Sequence, residues 1–259
     1  MTKHPGFGAL LARLLNHREL GTEALAERAG TAESEIRQVL AGKAPEVELL
    51  RWLAPAVGLQ VLDLFVLAGA AVPDDVAPVD AAAQEWVWHL VADGVHLPAA
   101  GRRELLGLVR SLPEAEPSSP FAPKLLADPA DGPGAWIIRM LQYRNLSRTG
   151  MAHTLAVVTP TYLSAATYGA IGAGRKVLTP RLVTDFAGLL GMDPGALAAL
   201  TGVILPGAPR PPAPETRDAA ALLWEARRLS AAQARHVAGL ARSMRGDSGD
   251  GYHLNLPAS

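Results

Sequence analysis

The residues best equipped for chemistry are a few histidines, one glycine-rich run and a biased set of arginines. His89 and His96 lie seven residues apart with Asp93 between them, a spacing that could bring three ligands to one helix face. No H-E-x-x-H accompanies them and the chain has no cysteine, so ordinary surface or core histidines are expected and no metal is assigned. The run from Gly169 to Lys176 (GAIGAGRK) superficially resembles a phosphate loop. Arg175 separates Gly174 from Lys176, Val177 stands where Ser or Thr is required, and no strand precedes it, so a plain loop is expected. No nucleophile–base pair or carboxylate constellation is recognisable, and neither enzymatic activity nor a cofactor is expected.

The charges are more informative. The whole chain carries a net charge of −1, so any contact with a polyanion must rest on local charge. Residues 1–70 hold seven Lys/Arg against eight Asp/Glu, a net of −1. Residues 135–203 hold six (Arg139, Arg144, Arg148, Arg175, Lys176, Arg181) against Asp185 and Asp193, a net of +4. The second stretch is the better surface for phosphates.

The elements that must position these residues occur twice. Asp80 to Leu112 contains DAAAQEW and LPAAGRRELLGLVRSL, and Asp218 to Met244 contains DAAALLW and LSAAQARHVAGLARSM, with Gly107, Leu108, Arg110 and Ser111 recurring 132 residues later. Upstream, Leu20 pairs with Leu146, Ala26 with Ala152, Ile36 with Leu163, Gly58 with Gly191, Leu67 with Leu200 and Gly69 with Gly202, at offsets of 126 to 133. The drift implies an insertion near Tyr168 to Gly172, because Ala41-Gly42-Lys43 resembles Ala173-Gly174-Arg175. Each half reads as a five-helix segment followed by a helical hairpin, as duplication and fusion would produce.

Apolar periodicity supports helices throughout. Leu10, Leu11, Leu14 and Leu15 form one helix face; Leu25, Ala26 and Ala29 continue to Gly30; a helix from Ala32 to Ala41 turns Ile36, Val39 and Leu40 inward. Thr22 is expected to cap the second helix, and Leu49, Leu50, Leu53 and Val57, then Leu62, Phe65 and Val66, supply the core of the next two. Only Ala156 to Thr159 is locally β-prone, and an all-α fold is expected. Trp86, Trp88 and Trp224 open the hairpins and are expected to serve as core. Six prolines between Pro113 and Gly134, and the run PGAPRPPAP from Pro206, mark linkers; the polar tail from Gly246 is expected to be disordered. The apolar residues near the N-terminus are broken by Arg13, His17 and Arg18, which suits neither a signal peptide nor a membrane span, and a cytoplasmic protein is expected.

The strings LGTEALAERAGTAESEIRQVLAGKAP and LSRTGMAHTLAVVTPTYLSAATYGAIGAGRK, with LLRWLAPAVGL and RLVTDFAGLLGM downstream, resemble the Cro/CI-like (XRE) helix-turn-helix family. The resemblance covers about half of the chain and leaves the hairpins outside. It implies two tandem five-helix helix-turn-helix domains, over 1–70 and 135–205. These would be followed by hairpins at 79–112 and 215–245, with a linker at 113–134 and a tail at 246–259. Helix 3 of such a domain lies in the major groove of double-stranded DNA while helix 2 and nearby loops hold phosphates.

Carried across, the resemblance has Ala32, Glu33, Ser34 and Arg37 face bases in the first copy, with Thr22, Arg28 and Lys43 on phosphate. Glu33 occupies a base-reading position that commonly holds Gln, and a carboxylate is repelled by phosphate. In the second copy Thr159 would cap helix 3, with Pro160 at its first turn. Thr161, Tyr162 and Ser164 would then face bases beside Thr159, and Arg144, Arg148, Arg175 and Lys176 would grip phosphate. This copy lacks the interhelical glycine, having Ala156 and Val157 instead. The function expected is a sequence-specific transcriptional regulator, acting as a homodimer or as a pseudo-twofold monomer. The alternative is a protein-interaction module, such as an antirepressor, which the acidic first helix 3 favours.

Overall fold

The computed structural model describes residues 4–121, 132–208 and 210–246. The middle of the Pro-rich linker and the tail beyond Gly246 lie outside the described residues. The first half contains α1 (Phe7–His17), α2 (Thr22–Ala29), α3 (Glu33–Leu40), α4 (Val47–Ala56) and α5 (Val61–Ala68). A single 3-10 turn (Ala81–Ala83) then leads into α6 (Gln84–Val95) and α7 (Ala99–Ser111). The second half contains α8 (Pro133–Gln142), α9 (Arg148–Val158), α10 (Ala165–Gly172), α11 (Pro180–Leu190) and α12 (Pro194–Thr201), followed by α13 (Pro214–Ala226) and α14 (Ala231–Met244). No strand occurs among the described residues; the β-prone Ala156 to Val158 completes α9.

The apolar faces read from the sequence are the buried ones: Leu10, Leu11, Leu14 and Leu15 in α1, Ile36 and Val39 in α3, Leu50 and Leu53 in α4. Helix boundaries in the second unit differ from expectation. The second five-helix segment begins at Pro133 rather than 135, because proline suits the first turn of a helix, where no N–H partner is needed. Helix α10 begins at Ala165 rather than at Pro160 and runs to Gly172, so the first half of the Gly169–Lys176 run is helix and not the loop expected.

The repeat is present in the backbone. A Cβ on Gly8 would stand 2.3 Å from the carbonyl oxygen of Val39, and one on Gly134 would stand 2.1 Å from that of Ile171. In both units the first helix therefore touches the end of the third at a point where no side chain fits. Glu19 and Asn145, 126 positions apart, also share an unusual left-handed backbone, with φ of 50° and 59°.

The two units dock reciprocally, α1 against α12 and α5 against α8. Because α8 is the counterpart of α1 and α12 of α5, exchanging the units exchanges these contacts. His17 pairs with Asp193 at 2.9 Å in one contact and Asp63 with Arg144 at 2.7 Å in the other.

The expected hairpins are not self-contained. Helix α6 packs most extensively on α14, and α7 on α13. Ion pairs follow the same crossing: Arg102 with Asp218 (2.7 Å) and Glu215 (3.2 Å), Arg110 with Glu225 (3.0 Å), and Asp93 with Arg245 (2.9 Å). Helices of only 12 to 14 residues bury little in an isolated pair, and interlocking two pairs encloses Leu90, Leu105, Leu223 and Val237 completely. The four-helix assembly sits mainly on the second unit, through α6 on α9 and α13 on α11. There Trp88 stacks on His153 at 4.4 Å and on His89 at 3.5 Å.

Asp80 ties these parts together. Its solvent-excluded carboxylate accepts hydrogen bonds from the backbone N–H of Ala82 (2.9 Å), Ser118 (2.8 Å), Ser119 (3.1 Å) and Ala231 (2.9 Å), and from the Ser118 hydroxyl (2.8 Å). Asn145 Nδ2 donates to its carbonyl at 2.8 Å. Burial pushes the carboxyl up, but these donors outweigh it and hold Asp80 below the usual carboxylate range.

Candidate nucleic-acid interface

In the second unit the segment read as the start of helix 3 is an extended strap. Thr159 ends α9: its hydroxyl donates to Leu155 O (2.8 Å) and accepts from Thr161 N–H (3.2 Å). Thr159 is therefore the C-cap of α9 and not the N-cap of the third helix, a position that Ser164 takes. Thr161 is buried, its hydroxyl donating to Asp185 while accepting from Arg181 Nε at 3.0 Å. Arg181 also donates to Pro160 O at 2.8 Å, fastening the strap to α11. These bonds engage the Thr161 N–H and the Pro160 carbonyl of a strap that proline keeps out of α9. Thr161 is thus removed from the base-facing set, while Tyr162 (66% exposed) and Ser164 remain at the surface.

Helix α10 follows with AATYGAIG and offers an approaching surface little besides Ala166 and Thr167. Tyr168 points inward and donates to Met151 O at 3.0 Å; burial pushes its phenol far above the ordinary value. Three cationic residues border this helix. Arg148, at the first turn of α9, reaches over Gly169, and the backbone N–H groups of Arg175 and Lys176, just past the end of α10, both donate to Ala170 O, at 2.8 and 3.2 Å. All three side chains are exposed, and among the described residues no carboxylate lies within ion-pair distance of them. The N-terminus of α9, where Ser147 accepts from Gly150 N–H at 3.1 Å, adds the positive end of a helix dipole beside Arg148.

Arg144 is the clear correction. It is completely buried and doubly bonded to Asp63 (2.7 and 2.8 Å), and it donates to Met140 O and Leu190 O at 3.1 and 2.9 Å. It cannot face phosphate. A basic residue after an apolar helix reads as surface, and the acceptor that draws it inward lies 81 positions away.

In the first unit α3 is exposed, but its charges satisfy one another. Glu33 accepts from the Thr22 hydroxyl and pairs with Arg37 at 2.8 Å, and Thr31 donates to Glu35. The Thr22 hydrogen bond, against a smaller desolvation and with help from Arg37, holds Glu33 below its ordinary pKa. Thr22 occupies the first turn of α2, whose N-cap is Gly21, and does not cap it. Ser34, Arg28 and Lys43 are exposed, Lys43 reaching Gln38 at 3.1 Å. Beside α3 lies a groove floored by Leu49 and Val39, with Trp52 (48% exposed) on its wall and Glu35, Glu46 and Glu48 on its rim. The signal for it was present, since Trp52 falls off the inward face set by Leu49, Leu50, Leu53 and Val57.

Asp93 is taken by Arg242 and Arg245, and His89 lies against Trp88, its pKa lowered first by burial and then by Arg242. Among the described residues no group of three His, Asp or Glu side chains is placed to hold a metal ion, and no helix is long and apolar enough to cross a membrane. No family model, curated protein or solved structure matches the chain.

Proposed function

We propose that the chain is a DNA-binding regulator of the helix-turn-helix kind, and that its second unit holds double-stranded DNA. The observation that carries this reading is that Arg148, Arg175 and Lys176 border α10, exposed and without a neutralising carboxylate. Three uncommitted cations near a helix N-terminus suit successive phosphates. Tyr162 and Ser164 are the side chains able to reach base edges or sugars there. With Ala and Gly dominating α10, direct readout is sparse, and phosphate contact with groove shape carries most of the affinity.

The test is fluorescence anisotropy of the full chain with mixed double-stranded genomic fragments at about 50 and 200 mM salt. Arg175→Ala/Lys176→Ala should weaken binding and flatten the log–log salt dependence by about 1.8, the value for two lost phosphate contacts. Arg37→Ala should leave both unchanged. Absence of wild-type binding at the lower salt overturns the reading, and loss confined to Arg37→Ala moves the site to the first unit.

A second reading concerns the first unit alone. The Trp52 groove, apolar within and acidic at its rim, suits a protein segment with a basic flank rather than a nucleic acid. This favours an interaction role for the first copy beside DNA binding by the second.

A further inference from the structure

A half-open groove of about 660 Å3 lies where four parts of the fold meet. Gln60 borders it from the first unit, the α11–α12 corner from the second, Arg110 from α7, and one side of α13 closes it. Arg210, Pro211 and Pro212 also line it. The size is that of a small-molecule site, typically ~300–1,000 Å3. Trp224, Pro194, Pro212 and Ala221 give it apolar walls.

The charge within it is unbalanced once internal partners are assigned. Asp193 accepts from Ala196 N–H at 2.7 Å as the cap of α12 and pairs with His17. Glu225 pairs with Arg110 at 3.0 Å. Glu225 is therefore neutralised, while both bonds of Asp193 fall on Oδ1; the lining holds three arginines (Arg110, Arg210, Arg217) against these two carboxylates, an excess of one positive charge. Arg210 and Arg217 line the same groove, are exposed, and have no ion-pair partner among the described residues. Two unpaired guanidiniums thus share a groove with an aromatic ring and several prolines.

We propose that this groove binds a small anion with a flat apolar body, an aromatic carboxylate in chemical class. The carboxylate meets Arg210 and Arg217, and the ring lies along the prolines and the part of Trp224 that Arg227, 3.6 Å from the centre of that ring, does not cover. The site stands independently of the DNA reading, since none of its residues belongs to the cation set around α10.

The test is isothermal titration of the full chain with 2-naphthoate and with the uncharged 2-naphthamide, for wild type and for Arg210→Ala/Arg217→Ala. Both arginines are exposed, so the variant should retain its helical circular dichroism. Naphthoate should bind one-to-one and at least about tenfold tighter than the amide, and the double variant should reduce it to the affinity of the amide. Equal affinity for the two compounds, undiminished naphthoate binding by the double variant, or an equal loss in Arg175→Ala/Lys176→Ala overturns the proposal.

Discussion

Asp63 and Arg144 form a doubly hydrogen-bonded ion pair, 2.7 and 2.8 Å, from which solvent is wholly excluded. It joins α5 of the first unit to the turn after α8 of the second. The duplication makes the pair instructive: Arg18 occupies the position equivalent to Arg144, yet it is exposed and lies over Gly58. The counterpart of Asp63 is Ala196, so the second copy offers Arg18 no buried carboxylate. Breaking the pair strands a charge. Asp63→Ala should cost about 3–5 kcal/mol in urea unfolding, while Asp63→Leu/Arg144→Met should recover most of that loss. A double variant as unstable as the single one would contradict this account.

The repeated glycines divide into two kinds with opposite expected signs. Gly8→Ala and Gly134→Ala each drive a methyl into a carbonyl and should destabilise by about 1–3 kcal/mol. Gly107→Ala and Gly239→Ala lie on exposed faces of α7 and α14 with nothing within 4 Å, and should stabilise by about 0.5–1 kcal/mol. Thermal unfolding of the four variants checks the contrast.

Asp80 predicts an acid-labile junction. Its carboxyl is depressed in the folded chain, so its contribution is complete above the unfolded value near 3.9 and is lost as pH falls through the lower folded value. Asp80→Asn, whose amide nitrogen cannot accept from these donors, should cost about 1–3 kcal/mol at neutral pH. The variant should also lose less additional stability than wild type on acidification below about pH 4. Parallel acid profiles for the two proteins would show that Asp80 does not set this transition.

Glu33 discriminates between the two units. Glu33→Gln removes a negative charge beside Arg37, so DNA affinity would rise if α3 lay against phosphate. With DNA on the second unit, anisotropy titrations should give the same affinity within about twofold.

The sequence by itself determined the helices and their duplication, because apolar spacing, glycine stops and proline starts act within a few residues of one another. It also placed the exposed cations Arg148, Arg175 and Lys176, which need only a polar position on a short helix or loop. Tertiary structure alone decided the fates of Thr159, Thr161 and Arg144. Thr159–Ser164 reads as a helix start until Asp185 and Arg181 fasten it as a strap. Arg144 reads as surface until Asp63 arrives from 81 residues away. The crossing of the two hairpins was hidden for the same reason: each helix carries an apolar face, and only assembly in three dimensions selects the partner that covers it.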